Sequence, residues 1–189
     1  MLKQLEARAL IRIGAVEKAR DILESLHQKE HLDDESLEET LGNLGRVYKD
    51  IWKVFGNKSD ACKSRDMYLR CFKKTMRYWT GINAAAMSYL VGDLDQAKEI
   101  AHNVLEICEK ALKEIGRDDL YWVLATSGEA YLFLNKNHKS IEKYRAAFNV
   151  YNEQTPSNQK HDQIVSSLQQ LRLLKNNDGF SQHKCCFFA

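Results

Sequence analysis

A short turn pattern occurs four times in this chain of 189 residues and constrains its fold more than any other feature. In each copy an apolar residue is followed by Gly or Asn, four mostly polar residues, and then Ala or Ser. The copies begin 42, 36 and 43 residues apart and are Ile13-Gly14 to Ala19, Phe55-Gly56 to Ala61, Val91-Gly92 to Ala97, and Leu134-Asn135 to Ser140. Gly and Asn end helices because they tolerate a left-handed backbone, and a small residue lets the next helix approach closely. The pattern predicts four antiparallel helical hairpins.

The segments beside these turns place apolar residues at a helical period. Around the first turn the stripe comprises Leu2, Leu5, Ala9, Ile13, Val16, Ala19, Leu23 and Leu26. A hairpin cannot cover its own apolar face, so neighbouring hairpins must stack. We therefore predict an all-α solenoid of about four hairpins with a C-terminal capping helix at 158–175, forming one domain over residues 1–175. From 176 to 189 the periodicity ends and turn-forming residues gather, which predicts a flexible tail.

The composition favours a helical protein that acts inside the cell. The chain has one proline, Pro156, and nine glycines, so few residues interrupt its helices. Its 28 basic and 26 acidic residues are interleaved, and no basic face for nucleic acid is expected. No apolar run approaches the roughly 18 residues of a membrane span, and the charged N-terminus is unlike a secretory signal. We expect a cytoplasmic protein without a nucleic-acid partner.

Residues 6–151 resemble the tetratricopeptide repeat. The small residues of that repeat are matched by Ala7, Ala85 and Gly128 and again by Ala19, Ala97 and Ser140. The resemblance implies a right-handed solenoid. The second unit departs from the repeat, because counting back from Gly56 places Lys49 at a small-residue position, whereas Leu44-Gly45 and Tyr48 fit if several residues are inserted.

Three longer strings carry a narrower resemblance. They are LGRVYKDIW at 44–52, YWTGINAA at 78–85 and DDLYWVLATSGEAYL at 118–132. They are similar to the TRAF-binding region of the apoptosis signal-regulating mitogen-activated kinase kinase kinases and its bacterial relatives. The resemblance implies a regulatory scaffold and no kinase activity, since the chain has neither a Gly-rich loop nor HRD and DFG strings.

In the tetratricopeptide repeat the first helix of each hairpin lines the concave side, so its non-core positions are candidate contacts for a partner. Aromatic rings and arginines are favoured at such contacts because rings bury large areas and Arg makes forked hydrogen bonds. Counting from each turn gives the candidate partner-binding residues Gln4, Arg8, Arg12, Arg46, Asp50, Trp79, Ile82, Tyr89, Trp122, Glu129 and Phe133.

Two other interpretations of these candidates stay open. Trp79, Trp122 and Phe133 could equally belong to the core between repeats, since aromatic residues at helical spacing usually pack. Arg46 and Asp50 could form an intrahelical ion pair on a solvated face. The sequence alone does not decide between contact and packing.

No residue pattern predicts catalysis or a cofactor. His27 and His31 have a spacing that could hold a metal on a helix, but two ligands make an incomplete site. Cys108 and His102 lie on different faces of one helix and cannot pair as nucleophile and base. We expect no enzyme activity, no cofactor and no metal.

The last four residues, Cys186-Phe187-Phe188-Ala189, have the length of a prenylation signal, and Cys185 could take a palmitoyl chain. Phe is a poor substitute for both aliphatic positions, so an unmodified tail is the alternative. A membrane location is expected only if Cys186 is lipidated.

The sequence thus predicts a non-catalytic interaction scaffold that binds a protein or peptide in a concave groove, in a signalling assembly. The alternative is a regulatory or sensor fragment whose repeats bind a small ligand or pack against an effector domain outside this chain. The partner and the oligomeric state are not specified by the sequence.

Overall fold

The computed structural model describes residues 2–28, 33–114, 116–153 and 158–176. All regular secondary structure in these ranges is helical. The helices are α1 (Leu2–Arg12), α2 (Val16–His27), α3 (Asp34–Phe55), α4 (Lys58–Thr75), α5 (Tyr78–Val91), α6 (Leu94–Glu114), α7 (Arg117–Phe133), α8 (Asn137–Glu153) and α9 (Asn158–Lys175). The first eight pair in order as four hairpins, and each hairpin packs on the next. The predicted all-α solenoid is confirmed.

The four predicted turns have the backbone geometry that their residues favour. Gly14, Gly56, Gly92 and Asn135 have φ angles of 79°, 73°, 97° and 57°. A Cβ at any of the three glycines would meet no atom within 4 Å. The left-handed backbone, and not lack of space, therefore favours glycine at these positions.

Two helices that open a hairpin begin at residues with an extended backbone. Asp33 caps α3, because its Oδ1 accepts a hydrogen bond of 2.7 Å from the Ser36 amide, and this bond lowers the pKa of Asp33. Gly116 precedes the first residue of α7 in an extended conformation. Asp33 and Gly116 thus mark the starts of the second and fourth hairpins.

One turn between hairpins was not predicted. Met76 connects α4 to α5 with a φ of 51° and is half exposed, so an unbranched side chain occupies a left-handed position. We expect Met76→Gly to raise the free energy of unfolding by about 0.5–1 kcal/mol, because glycine removes the steric cost of this conformation. Urea unfolding followed by circular dichroism would test this. Met76→Ala, which keeps a Cβ, serves as the control and should give no gain.

The second hairpin settles the register that the sequence left open. The Tyr68 ring lies on Gly45, where a Cβ would be 2.8 Å from ring carbons, and Ser64 Oγ donates to the Gly45 carbonyl at 2.7 Å. Gly45 is therefore the small residue of this unit, and α3 continues for one turn more before Gly56 than the repeat requires. This places Lys49 one turn beyond the close contact.

The fourth hairpin repeats the same contact. The Tyr144 ring lies on Gly128, again 2.8 Å from a would-be Cβ, and Ser140 Oγ donates to the Gly128 carbonyl at 2.6 Å. Small residues also fill the centre of the stack, where Ala84, Ala85 and Ala86 have no exposed surface. Close helix contacts thus join the two helices of the second and of the fourth hairpin and fix the faces of their first helices.

The predicted C-terminal helix is present as α9. It packs on α7 and also reaches back to α3, since Gln170 contacts both helices. The predicted flexible tail lies almost wholly outside the described residues. No described helix is long and apolar enough to cross a membrane.

Candidate functional site

The first helices of the hairpins, α1, α3, α5 and α7, share one surface, here called the groove. Two cavities lie along it. The larger, here called the basin, is open and measures about 880 Å³. It is lined by Arg8, Glu35, Glu38, Glu39, Asn43, Arg46, Lys74, Thr75, Arg77 and Trp79. Three of the residues predicted to bind a partner, Arg8, Arg46 and Trp79, therefore meet in one place.

The charges of the basin are paired across helices. Arg8 of α1 lies 3.2 Å from Glu39 of α3, and Arg77 lies 3.7 Å from Glu38. The arginines of these pairs are solvent-exposed and the carboxylates are partly buried, so each pair contributes little to stability, on the order of 0–1 kcal/mol. They can therefore exchange partners with an incoming ligand at small cost. The basin is suited to a polar peptide with charges of both signs.

Arg46 is more solvent-exposed than Asp50, the residue with which it was considered to form an intrahelical ion pair. Its guanidinium lies 3.8 Å from Asp50, and Asp50 contacts Lys53 more closely, at 2.7 Å. The intrahelical pair considered from the sequence is present, but it is long and its arginine side chain is 56% exposed. Arg46 remains accessible to a ligand while Asp50 is held on its own helix.

Trp79 joins the two cavities. Its ring covers Gly42 of α3, its indole Nε1 donates to Glu38 at 3.0 Å, and the residue is 38% exposed. Glycine at position 42 is required for this contact, because a Cβ there would overlap the ring. Trp79 therefore packs on one face and remains available to a ligand at its edge.

The second cavity, here called the covered site, measures about 130 Å³ and lies between the groove and α9. It is lined by Lys49, Trp79, Ile82, Asn83, Trp122, Ala125, Thr126, Glu129, Tyr144, Ser166, Ser167 and Gln170. Trp79, predicted from the third hairpin, and Trp122 and Glu129, predicted from the fourth, are thus brought together here. α9 supplies the wall that closes the site.

A polar chain crosses the covered site. Lys49 Nζ donates to Asn83 Oδ1 at 2.9 Å and to Gln170 Oε1 at 3.3 Å, and Gln170 Nε2 donates to Glu129 Oε1 at 2.9 Å. Burial raises the pKa of Glu129 and lowers that of Lys49, against the opposing attraction between the two. The carboxamide of Gln170 therefore lies between an acid and a base that the fold holds apart.

Further contacts seat α9 on either side of this chain. Tyr121 donates to Ser167 Oγ at 3.0 Å, and Ile164 and Leu171 pack against the cluster that contains Tyr121. Leu174 is fully buried in the main core cluster. α9 is thus held by a row of inward side chains.

The remaining predicted contacts lie elsewhere. Arg12 is exposed in the last turn of α1 and lines neither cavity. Phe133 is 3% exposed and its ring centroid is 5.7 Å from that of Tyr89, so the packing interpretation describes Phe133. Tyr89 lines a separate depression with Trp52 and Lys58. The predicted lipidation residues, Cys185 and Cys186, lie outside the described residues.

Sequence reasoning missed Lys49 and Gln170 as site residues. Lys49 was recognised only as a misfit at a small-residue position, and the inserted turn of α3 accounts for that misfit. Gln170 had no local signal, because its importance depends on the position of α9. Within the described ranges, no three His, Cys, Asp or Glu side chains lie together as metal ligands.

The buried carboxyl of Glu129 predicts a pH dependence. Its pKa rises from the usual 4.5 to about 7, so the folded state binds a proton more tightly than the unfolded chain. Stability from this group therefore increases as pH falls from about 7.5 towards 5. Lys49 of α3, Tyr144 of α8 and Gln170 of α9 face this carboxyl. Urea unfolding should show wild type gaining about 2 kcal/mol over Glu129→Gln in this window, and equal slopes would contradict the assignment.

The described helices define a class of fold: an all-α solenoid of stacked helical hairpins. Residues 1–88 match the family model TPR-S, Tetratricopeptide Repeats-Sensor. Among solved structures, the chain is similar to the nearly identical TPR-like repeats of a Podosopora anserina protein described as a kinesin light chain. The TM-score is 0.51 at 16% identity, covering 96% of this chain and 87% of that one. This similarity bears on the fold alone.

A search of curated proteins gave no match. The fold predicted from the turns, a solenoid of helical hairpins, is thus shared with a solved TPR-like repeat structure.

Proposed function

We propose that this protein is a non-catalytic scaffold that binds a partner peptide along the groove, with the basin as the open entry. The observation that carries the proposal is the basin itself. It combines an exposed tryptophan edge, an accessible arginine and exchangeable ion pairs from three hairpins. Tryptophan and arginine are among the residues that contribute most to binding energy at protein interfaces.

A signalling assembly is the setting that we propose. Its support is the similarity of the strings at 44–52, 78–85 and 118–132 to the TRAF-binding region of apoptosis signal-regulating kinase kinase kinases. Residues from these strings contribute Arg46 and Trp79 to the basin and Trp122 to the covered site. The resembling segments thus coincide with the groove.

Charge reversal in the basin tests this function. Peptides selected from a random displayed library with the wild-type chain should bind Arg46→Glu about tenfold more weakly, because one charge-assisted contact is replaced by repulsion. Arg145→Glu, at an exposed position on α8, makes the same change on an outer helix and should leave the affinity unchanged. Fluorescence anisotropy with labelled peptides would measure both.

Two results would count against peptide binding in the basin. One is a selection that yields no peptide, and the other is an equal loss of affinity in Arg46→Glu and Arg145→Glu. Circular dichroism must first establish that both variants are as helical as wild type.

A second candidate function is a regulatory sensor, in which the repeats respond to a small ligand or hold an effector segment. The match of residues 1–88 to a sensor family model and the occupation of the groove by α9 both favour it. Thermal shift with a panel of small metabolites would separate it from the scaffold. A specific shift in a chain that selects no peptide would support the sensor.

A further inference from the structure

α9 presents a distinct stripe to the groove. Ile164, Ser167, Gln170, Leu171 and Leu174 recur at helical spacing and are partly or fully buried. On the other side of the same helix Val165 is 49% and Leu168 is 39% exposed, and Gln169 is exposed too. The groove therefore holds one face of a helix in which a carboxamide lies between apolar residues.

The chemistry at Gln170 is selective for a carboxamide. Lys49 offers a donor to one side of the group and Glu129 offers an acceptor to the other. A carboxamide carries both an acceptor oxygen and a donor nitrogen on one plane. A carboxylate would face Glu129, and an ammonium group would face Lys49. An aliphatic side chain would remove the hydrogen bond to Glu129 and leave Lys49 with Asn83 as its remaining acceptor here.

We propose that the covered site is a binding site for a partner helix that carries a carboxamide side chain, with Lys49 and Glu129 as the recognition pair and α9 as its intramolecular occupant. This inference rests on the proposed function, since it names the kind of partner that the groove accepts. The helix of the partner replaces α9.

The arrangement of the groove supports displacement. The basin is open, and Trp79 lines both the basin and the covered site. A peptide that enters through the basin therefore reaches Lys49 and Glu129 by continuing along the groove. α9 contributes Ser166, Ser167 and Gln170 to the lining of the covered site. A helix suits this site because α9 itself anchors there through residues three and four apart.

The test uses the full chain and a labelled peptide of residues 158–175. Gln170→Met keeps the length of the side chain and removes both hydrogen bonds, while Gln169→Met makes the same change at an exposed position of α9. Hydrogen exchange should show faster exchange of the α9 amides in Gln170→Met alone, with α1–α8 unchanged. By anisotropy, the peptide should bind Gln170→Met about tenfold more tightly than wild type or Gln169→Met, because the site is vacated.

Peptide analogues test the carboxamide itself. Peptides with Met or Glu in place of Gln170 should bind the Gln170→Met chain about tenfold more weakly than the natural peptide. Equal binding of the three peptides, or unchanged protection of α9 in Gln170→Met, would overturn the proposal. If library peptides still depend on Arg46 while the α9 peptide shows no preference, the proposed function stands and the carboxamide site does not. A wild-type dimer by light scattering, in which α9 of one copy occupies the covered site of the other, would also overturn the proposal. The occupant of the site would then be a second copy of the chain.

Discussion

Replacing Gly45 by alanine is expected to lower the free energy of unfolding by about 2 kcal/mol. In an open helix the same change raises stability by up to about 1 kcal/mol, because alanine is the better helix former. Here the new Cβ would lie 2.8 Å from Tyr68 ring carbons, and Tyr68 is 3% exposed and cannot move aside. Overpacking of this kind costs about 1–3 kcal/mol and would also strain the bond from Ser64 to the Gly45 carbonyl. The sign of the change in unfolding free energy therefore reports whether α3 and α4 are in close contact at Gly45.

Urea unfolding followed by circular dichroism would measure this effect. Gly116→Ala is the control, because a Cβ at Gly116 meets no atom within 4 Å. This substitution should lower the free energy of unfolding by less than about 1 kcal/mol. In a Tyr68→Leu background the cost of Gly45→Ala should fall by at least half, since the smaller side chain can yield. A gain in stability on Gly45→Ala would show that α3 and α4 are not in close contact at this point.

The turns could be predicted because the backbone conformation that they require depends on a single residue. Gly14, Gly56, Gly92 and Asn135 satisfy a left-handed backbone whatever surrounds them, so the residue type alone carries the signal. Met76 takes the same conformation without such a signal, because the packing of α4 against α5 imposes it. Local chemistry thus predicted the hairpins, and tertiary packing determined the turn that was missed.

The groove residues could be predicted only where the repeat register was regular. Trp79, Trp122 and Glu129 follow from counting back from their turns, and the structure places all three at the covered site. Phe133 follows from the same counting, but the Tyr89 ring of the preceding hairpin covers it. The repeat register predicts which face of the helix a side chain lies on. It does not predict whether a residue of the neighbouring hairpin covers that side chain.

Gln170 shows the limit of sequence reasoning for this site. It contacts Lys49, which lies 121 residues earlier in the chain. No local pattern predicts that α9 folds back so far, because the helix carries apolar residues on both its buried and its exposed faces. Its position depends on the combined fit of its inward side chains to the groove.

Replacing Leu174 by alanine is expected to detach α9 from the groove without unfolding the hairpins. Leu174 has no exposed surface, and truncation of a fully buried leucine costs about 2–5 kcal/mol. α9 joins the rest of the protein mainly through its inward side chains, so this cost falls on the opening of one helix. Hydrogen exchange should show α9 amides losing about 30-fold or more of their protection, since about 2 kcal/mol corresponds to that factor.

Leu168→Ala is the matched control on the same helix, because Leu168 is 39% exposed and its truncation should leave α9 protected. Loss of protection in α1–α8 as well would mean that α9 is an integral part of the solenoid core, and unchanged protection would mean that Leu174 does not anchor it. Release of α9 in Leu174→Ala exposes Lys49, Trp122 and Glu129 together. Leu174 lies outside the covered site, whereas Gln170 lies within it. Leu174→Ala therefore tests how α9 is anchored, and Gln170→Met tests how its carboxamide is recognised.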